Sequence, residues 1–187
     1  MAEDKLFGEW KTGCFAVEQK KDVTGTLLCY DVAKFDRDKP DADISMVTDY
    51  DVRYLKIISK IFSKGLPVDS WKGKSHKDLL EHLENGGEIA AYWHGGVIAG
   101  AVVWQWDAKK SEGKILQICF TKRLRGFGYG RLLLDYILFK IKNSADYLND
   151  EGLLYAEKPP QDEAARFFES YGFAEVFGDG LAAANVI

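Results

Sequence analysis

Residues Ile115 to Ile141 constrain this chain more than any other stretch. They read as a short apolar strand, a glycine loop rich in arginine, and a long apolar helix. Gly126, Gly128 and Gly130 let the backbone turn tightly and approach a ligand closely. The unpaired N–H groups that open the following helix, with its dipole, then face a negative group such as a pyrophosphate. Arg123, Arg125 and Arg131 add positive charge around the same loop.

Two familiar phosphate sites do not fit. A nucleoside-triphosphate loop ends in Gly-Lys-Ser/Thr, whereas Gly130 is followed by Arg131 and Leu132. A dinucleotide loop needs Gly-x-Gly-x-x-Gly early in the chain; here the spacing is Gly-x-Gly-x-Gly and more than half of the chain precedes it. A glycine turn with no ligand is the plain alternative, and alternating glycines flanked by arginines argue against it.

Downstream lies a second pattern, Ala164-Ala165-Arg166-Phe167-Phe168-Glu169-Ser170-Tyr171-Gly172-Phe173. With Arg125, Gly128 and Gly130 read as Arg/Gln-x-x-Gly-x-Gly/Ala, the chain resembles the GCN5-related N-acetyltransferase (GNAT) superfamily. That family carries both motifs in this order, the second as a helix with Ala-x-x-Phe-Tyr-Glu-x-x-Gly-Phe. The resemblance runs from about Gly87 to Val176 and extends back to Asp43.

Composition sets the outer bounds. A chain of 187 residues suits one domain, and 47% hydrophobic residues exclude a disordered chain. There is no apolar run long enough to span a bilayer and no signal-peptide pattern at the start, so the expectation is a soluble cytoplasmic protein that does not engage membranes. A net charge of -4 gives no basic excess for nucleic acid. Cys14, Cys29 and Cys119 show no metal or disulfide spacing, nor do His76, His82 and His94, so no metal site is expected.

Along the chain, Cys14–Glu18 and Thr26–Ala33 read as an N-terminal strand pair, packed on the sheet edge or serving as a partner-binding arm. Ile44–Thr48 reads as a first core strand. Asp49 or Asp51 can cap a helix whose apolar positions are Tyr54, Ile57, Ile58, Ile61 and Phe62, ended by Gly65 and Pro67. A second helix spans about Ser75 to Leu83. Glu88–Trp93 and Val97–Trp106 form a hairpin about His94-Gly95-Gly96, with Val102, Trp104 and Trp106 on one face. A turn over Lys109–Gly113 leads to the Ile115 strand, the helix spans about Gly130 to Lys142, and Leu153–Ala156 is a further strand. The tail ends in a final strand or a frayed terminus. The fold expected is mixed α/β: the resemblance implies a central, mostly antiparallel sheet flanked by helices, with residues 1–42 as an N-terminal extension and 43–187 as the acetyltransferase-like domain.

The resemblance also implies a reaction: transfer of an acetyl group from acetyl-coenzyme A, as co-substrate, to a primary amine (a protein lysine, an N-terminus, a polyamine or a small amine). The backbone of Ile118, Cys119 and Phe120 would follow the pantetheine arm. The loop Arg125, Gly126, Phe127, Gly128, Tyr129, Gly130 and Arg131 would hold the pyrophosphate. Gln161 stands where relatives have asparagine, and Phe168 where many have a tyrosine that protonates the leaving thiolate. For the base, Glu157 at a strand end and Glu112, by its spacing to Arg125, are the candidates, with Glu157 preferred. The rival reading, fed by Phe168, is a catalytically silent acyl-coenzyme A-binding module. The oligomeric state is open.

Overall fold

The computed structural model describes residues 27–37, 43–64, 75–144, 147, 152–159 and 162–176. Strands β1 (Leu27–Asp31), β2 (Ile44–Val47), β3 (Glu88–His94), β4 (Val97–Asp107), β5 (Glu112–Phe120), β6 (Leu153–Glu157) and β7 (Ala174–Val176) form one sheet in the order β2-β3-β4-β5-β6-β1-β7. Every pairing is antiparallel except β5 with β6. The β3–β4 hairpin turns on Gly95 and Gly96, both at positive φ, which matches the right-handed twist of the strands it joins. Strand β5 begins at Glu112, so the turn expected over Lys109–Gly113 is shorter than the sequence suggests.

Helices α1 (Val52–Ser63), α2 (His76–Glu84), α3 (Tyr129–Lys142) and α4 (Asp162–Tyr171) divide over the two sides of this sheet. On one side, Leu55, Ile58, Ile61 and Phe62 of α1 and Leu79 of α2 bury against Ile89, Ala91, Ala101, Val103 and Cys119. On the other, α3 and α4 bury Leu133, Leu134, Ile137 and Phe168 against Ala90, Val102, Trp104 and Ile115. Trp104 is fully buried and Trp106 packs beside that core, as period-two alternation requires. Capping chemistry differs between the first helices. Ser75 and Asp78 close a reciprocal capping box on α2. Asp51 precedes α1, but its carboxylate accepts from the amide and hydroxyl of Thr48 instead, fixing the turn before the helix.

The N-terminal strand departs from its expected place. Of the pair, 14–18 lies outside the described residues, as does the tail. The second strand, β1, sits inside the sheet and not at its edge, antiparallel to β6 on one side and β7 on the other. A boundary at 42/43 therefore falls between strands of one sheet. The segment after β1 is fastened to α3. Lys142 donates to the carbonyls of Ala33 and Phe35, and Arg37 pairs with Asp135. Asp135, the one acid in an otherwise apolar stretch of α3, is buried and also accepts from the Tyr171 hydroxyl at the end of α4. Tyr171 in turn packs on Tyr30 of β1. One carboxylate thus joins α3, α4 and the N-terminal strand. No helix among the described residues is long and apolar enough to cross a membrane.

Removing that carboxylate leaves two donors without their partner, one of them mostly buried. Asp135→Ala is expected to lower unfolding free energy by roughly 2 to 4 kcal/mol in urea titration. A loss under about 0.5 kcal/mol, the level of an ordinary surface change, would show that the network carries no weight.

Candidate active site

The site begins where two strands part. The parallel ladder between β5 and β6 covers Glu112–Ile115 and Leu153–Ala156 and then stops. Strand β6 ends at Glu157, because Pro159 and Pro160 offer no N–H to continue a ladder. Strand β5 runs on to Phe120, paired only with β4. Among the described residues its β6-facing backbone from 116 to 120 has no strand partner, and peptide groups in that state call for one.

That open edge leads into the glycine loop. Gly126 and Gly128 hold φ of 81° and 82°, a region costly for any residue with a Cβ. Gly128 caps α3 with no side-chain hydrogen bond, and no acidic residue occupies the first turn. Among the described residues, no backbone hydrogen bond uses the amides of Gly126, Phe127, Gly128, Tyr129 or Gly130. The helix end is therefore free to receive an anion. Gly130 serves a different purpose: a Cβ there would meet the Phe167 ring at 2.7 Å, so its absence lets α4 close over α3.

Loop, strand edge and α4 enclose a groove of about 380 Å³. Ile118, Cys119, Phe120, Arg125, Gly126, Gly128, Tyr129, Gly130, Arg131 and Phe168, all named from the sequence, line it. Phe127 does not: it is 74% exposed at the loop tip. Gln161 lies outside the described residues. The sequence reading missed Leu124 and the α4 wall of Glu163, Ala164, Phe167 and Ser170. The helical spacing of that wall was readable once Phe168 was placed.

The arginines mostly brace the groove. Arg125 donates through Nε to the Phe120 carbonyl at 2.9 Å and through Nη2 to the Lys64 carbonyl at 3.3 Å, tying the end of β5 to the end of α1. Arg131 donates to the Ser170 carbonyl at 2.8 Å, tying α3 to α4. Phe168 is buried between Phe167 and Phe173 and carries no hydroxyl.

The candidate carboxylates separate clearly. Glu157 lies at the fork between β5 and β6, where it lines a small cavity with Ile115, Leu116, Gln117, Ile118, Ala156 and Phe168, and it pairs with Lys114 at 2.9 Å. Glu112 starts β5, so it stands roughly 26 Å along the strand from Phe120, at about 3.3 Å per residue. It lines a different cavity with Gln105, Asp107, Lys110, Lys114 and Tyr155. The structure thus keeps Glu112 away from the groove. Burial pushes its pKa up to about 7, Lys110 opposing and Asp107 reinforcing the shift.

With this geometry in place, comparison with known proteins identifies the class. Residues 84–175 match the family described as acetyltransferase (GNAT) domain. These residues form a domain of the GNAT superfamily. Among solved structures, it is similar to the ribosomal-protein-S18-alanine N-acetyltransferase of Escherichia coli at 17% identity, covering 77% of this chain and 97% of that one, with a TM-score of 0.54. Ard1 of Thermoplasma volcanium is 22% identical, with 69% and 80% covered and a TM-score of 0.51. A GNAT-family protein of Novosphingobium aromaticivorans DSM 12444 is 14% identical over 80% of this chain, with a TM-score of 0.55, and the match spans 59% of that protein's length. At these identities the likeness establishes the fold. No curated protein matches the sequence.

Glu112 gives a pH test. Its carboxyl holds a proton to about pH 7 when folded, against 4.5 for the free group. The stabilisation is complete below the lower value and is lost as pH rises through the upper one. The difference in unfolding free energy between the wild type and Glu112→Gln should change across pH 4.5 to 8 in that direction. A pH-independent difference would contradict the burial argument.

Proposed function

We propose that this chain is an acetyl-coenzyme A-dependent N-acetyltransferase. The observation that carries the reading is the continuity of the open β5 edge with the unused amides of residues 126–130, along one groove. The amides take the diphosphate, with Arg123 and Arg131 supplying charge nearby. The edge from Ile118 to Phe120 pairs with the amides of the pantetheine arm as an added strand would. The thioester then reaches the fork between β5 and β6.

Chemistry at the fork is a direct displacement. The amine's lone pair forms the C–N bond while the carbonyl π pair moves onto oxygen. The pair returns as the C–S bond breaks, and coenzyme A leaves as the thiolate, while the proton the amine gives away passes to a carboxylate. Holding both reactants in one geometry supplies much of the acceleration. Glu157 is the proton acceptor this reading favours over Glu112, since it stands at the fork. Phe168 cannot donate a proton, so a thiol of pKa about 8.5 leaves without help from that position.

The acceptor is an amine. A lysine side chain at a pKa of about 10.4 arrives mostly protonated, whereas an N-terminal amine near 7.7 to 8.0 arrives partly neutral. The fold shared with the Escherichia coli alanine N-acetyltransferase puts N-terminal peptides first in a screen.

Calorimetry with coenzyme A and acetyl-coenzyme A, followed by thiol release across N-terminal peptides, lysine peptides, polyamines and small amines, tests the proposal. Binding with turnover on one class supports it; binding without turnover on any favours the silent module. Gly128→Val should weaken acetyl-coenzyme A binding at least about tenfold, since it strains the left-handed cap that aims the amides. Retained affinity in that variant would show the loop to be misassigned.

A further inference from the structure

Gln117 is a buried polar residue that this reaction scheme leaves unused. It is 1% exposed, and among the described residues neither its Nε2 nor its Oε1 has a hydrogen-bond partner. Leaving a carboxamide unsatisfied in an interior is costly, and such groups persist where they serve a purpose other than stability.

Its position indicates the purpose. Gln117 stands two residues past Ile115, where the β5–β6 ladder ends. It lies opposite Val103, whose side chain faces α1, so Gln117 is on the side of the sheet opposite the groove's α3–α4 wall. Glu157, whose neighbour Tyr155 also faces away from α3, lines the fork cavity beside it. Ile118 and Phe168 line both the groove and the fork cavity. The fork cavity, about 10 Å³ in this conformation, is walled by Ile115, Leu116, Ile118, Ala156 and Phe168, with Gln117 and Glu157 as its polar members, and a thioester in the groove reaches it as Ile118 and Phe168, the residues the two spaces share, move apart.

We infer that the Gln117 carboxamide binds the acetyl thioester, Nε2 donating to the carbonyl oxygen. This rests on the acetyl-coenzyme A reading above. The oxygen gains negative charge as the amine adds, and a donor fixed in a dry site stabilises that charge more than it stabilises the ground state. Oε1 remains able to accept from the N–H of the incoming amine, which places the two reactants on one side chain. Glu157 alone cannot fill the first role, because an ionised carboxylate accepts hydrogen bonds and repels an oxyanion. The glutamine is thus a catalytic residue kept in the core at the expense of stability.

The test uses the full chain and two apolar replacements of similar size, Gln117→Met and Gln117→Leu, with coenzyme A and acetyl-coenzyme A as probes. The wild type should bind acetyl-coenzyme A roughly 3- to 10-fold tighter than coenzyme A, as one neutral hydrogen bond allows. Both variants should bind coenzyme A like the wild type, lose the preference for the acetyl form, and melt at or above the wild-type temperature. With an acceptor that turns over, kcat should fall about 10- to 1,000-fold. A retained acetyl preference overturns the inference. So does a lower melting temperature in both variants, which would reveal a structural partner for the amide. If the wild type binds neither probe, the acetyltransferase reading itself fails; if it binds both and turns over while the variants match it in acetyl preference and kcat, the role of Gln117 alone fails.

Discussion

Parallel pairing between β5 and β6 stops at Ile115 and Ala156, and what the molecule can bind follows from that stop. A strand edge inside a protein is normally paired or covered. Here one strand ends two residues before Pro159 while its neighbour continues for five more residues, paired among the described residues with β4 alone. Phe168 stands at the crotch, keeping the strands apart with a hydrocarbon surface. The resulting slot offers peptide hydrogen-bonding groups on one wall and aromatic carbon on the other. That suits a narrow, flexible chain carrying amides, and the unused amides of the helix end lie at its mouth.

The charges around the slot divide their labour. Arg125 and Arg131 fit a reading of direct phosphate contact by sequence alone, yet each spends donors on main-chain carbonyls across the groove. Their first effect is to hold β5, α1, α3 and α4 at fixed separations. The groups the loop leaves unused are backbone amides, whose positions are set by the left-handed glycines and do not depend on a rotamer.

Much of this was legible in the sequence, for reasons that differ by element. The hairpin at Gly95-Gly96 and the motif loop were readable because only glycine accepts their backbone angles. The helices were readable from apolar spacing, with Ser75 and Asp78 marking one start. The placement of β1 was not, because strand order is decided by contacts between residues far apart, and local pattern carries no trace of them. Within the site, the loop and strand were found from motifs, while Glu163, Ala164, Phe167 and Ser170 were missed because a helix shows its periodicity but not which neighbour it faces. Glu112 was misplaced relative to the groove for a related reason: spacing to Arg125 measures distance along the chain, not which end of a strand meets the ligand. Gln117 and Asp135 each left a signal that was passed over, a lone polar residue inside an apolar run.

The insertion of β1 between β6 and β7 bears on how the chain is made. Leu27 and its partner Glu157 are roughly 130 residues apart, and pairings of such long range form late because loop closure costs entropy before the contact repays it. During synthesis the first of these strands emerges long before either neighbour exists. Until residues 153 to 176 arrive, Leu27, Leu28 and Cys29 have no sheet to join, and β5 lacks its parallel neighbour β6. The half of the sheet that borders the fork is therefore the last to assemble, and a nascent chain interrupted before that point exposes its most adhesive edge.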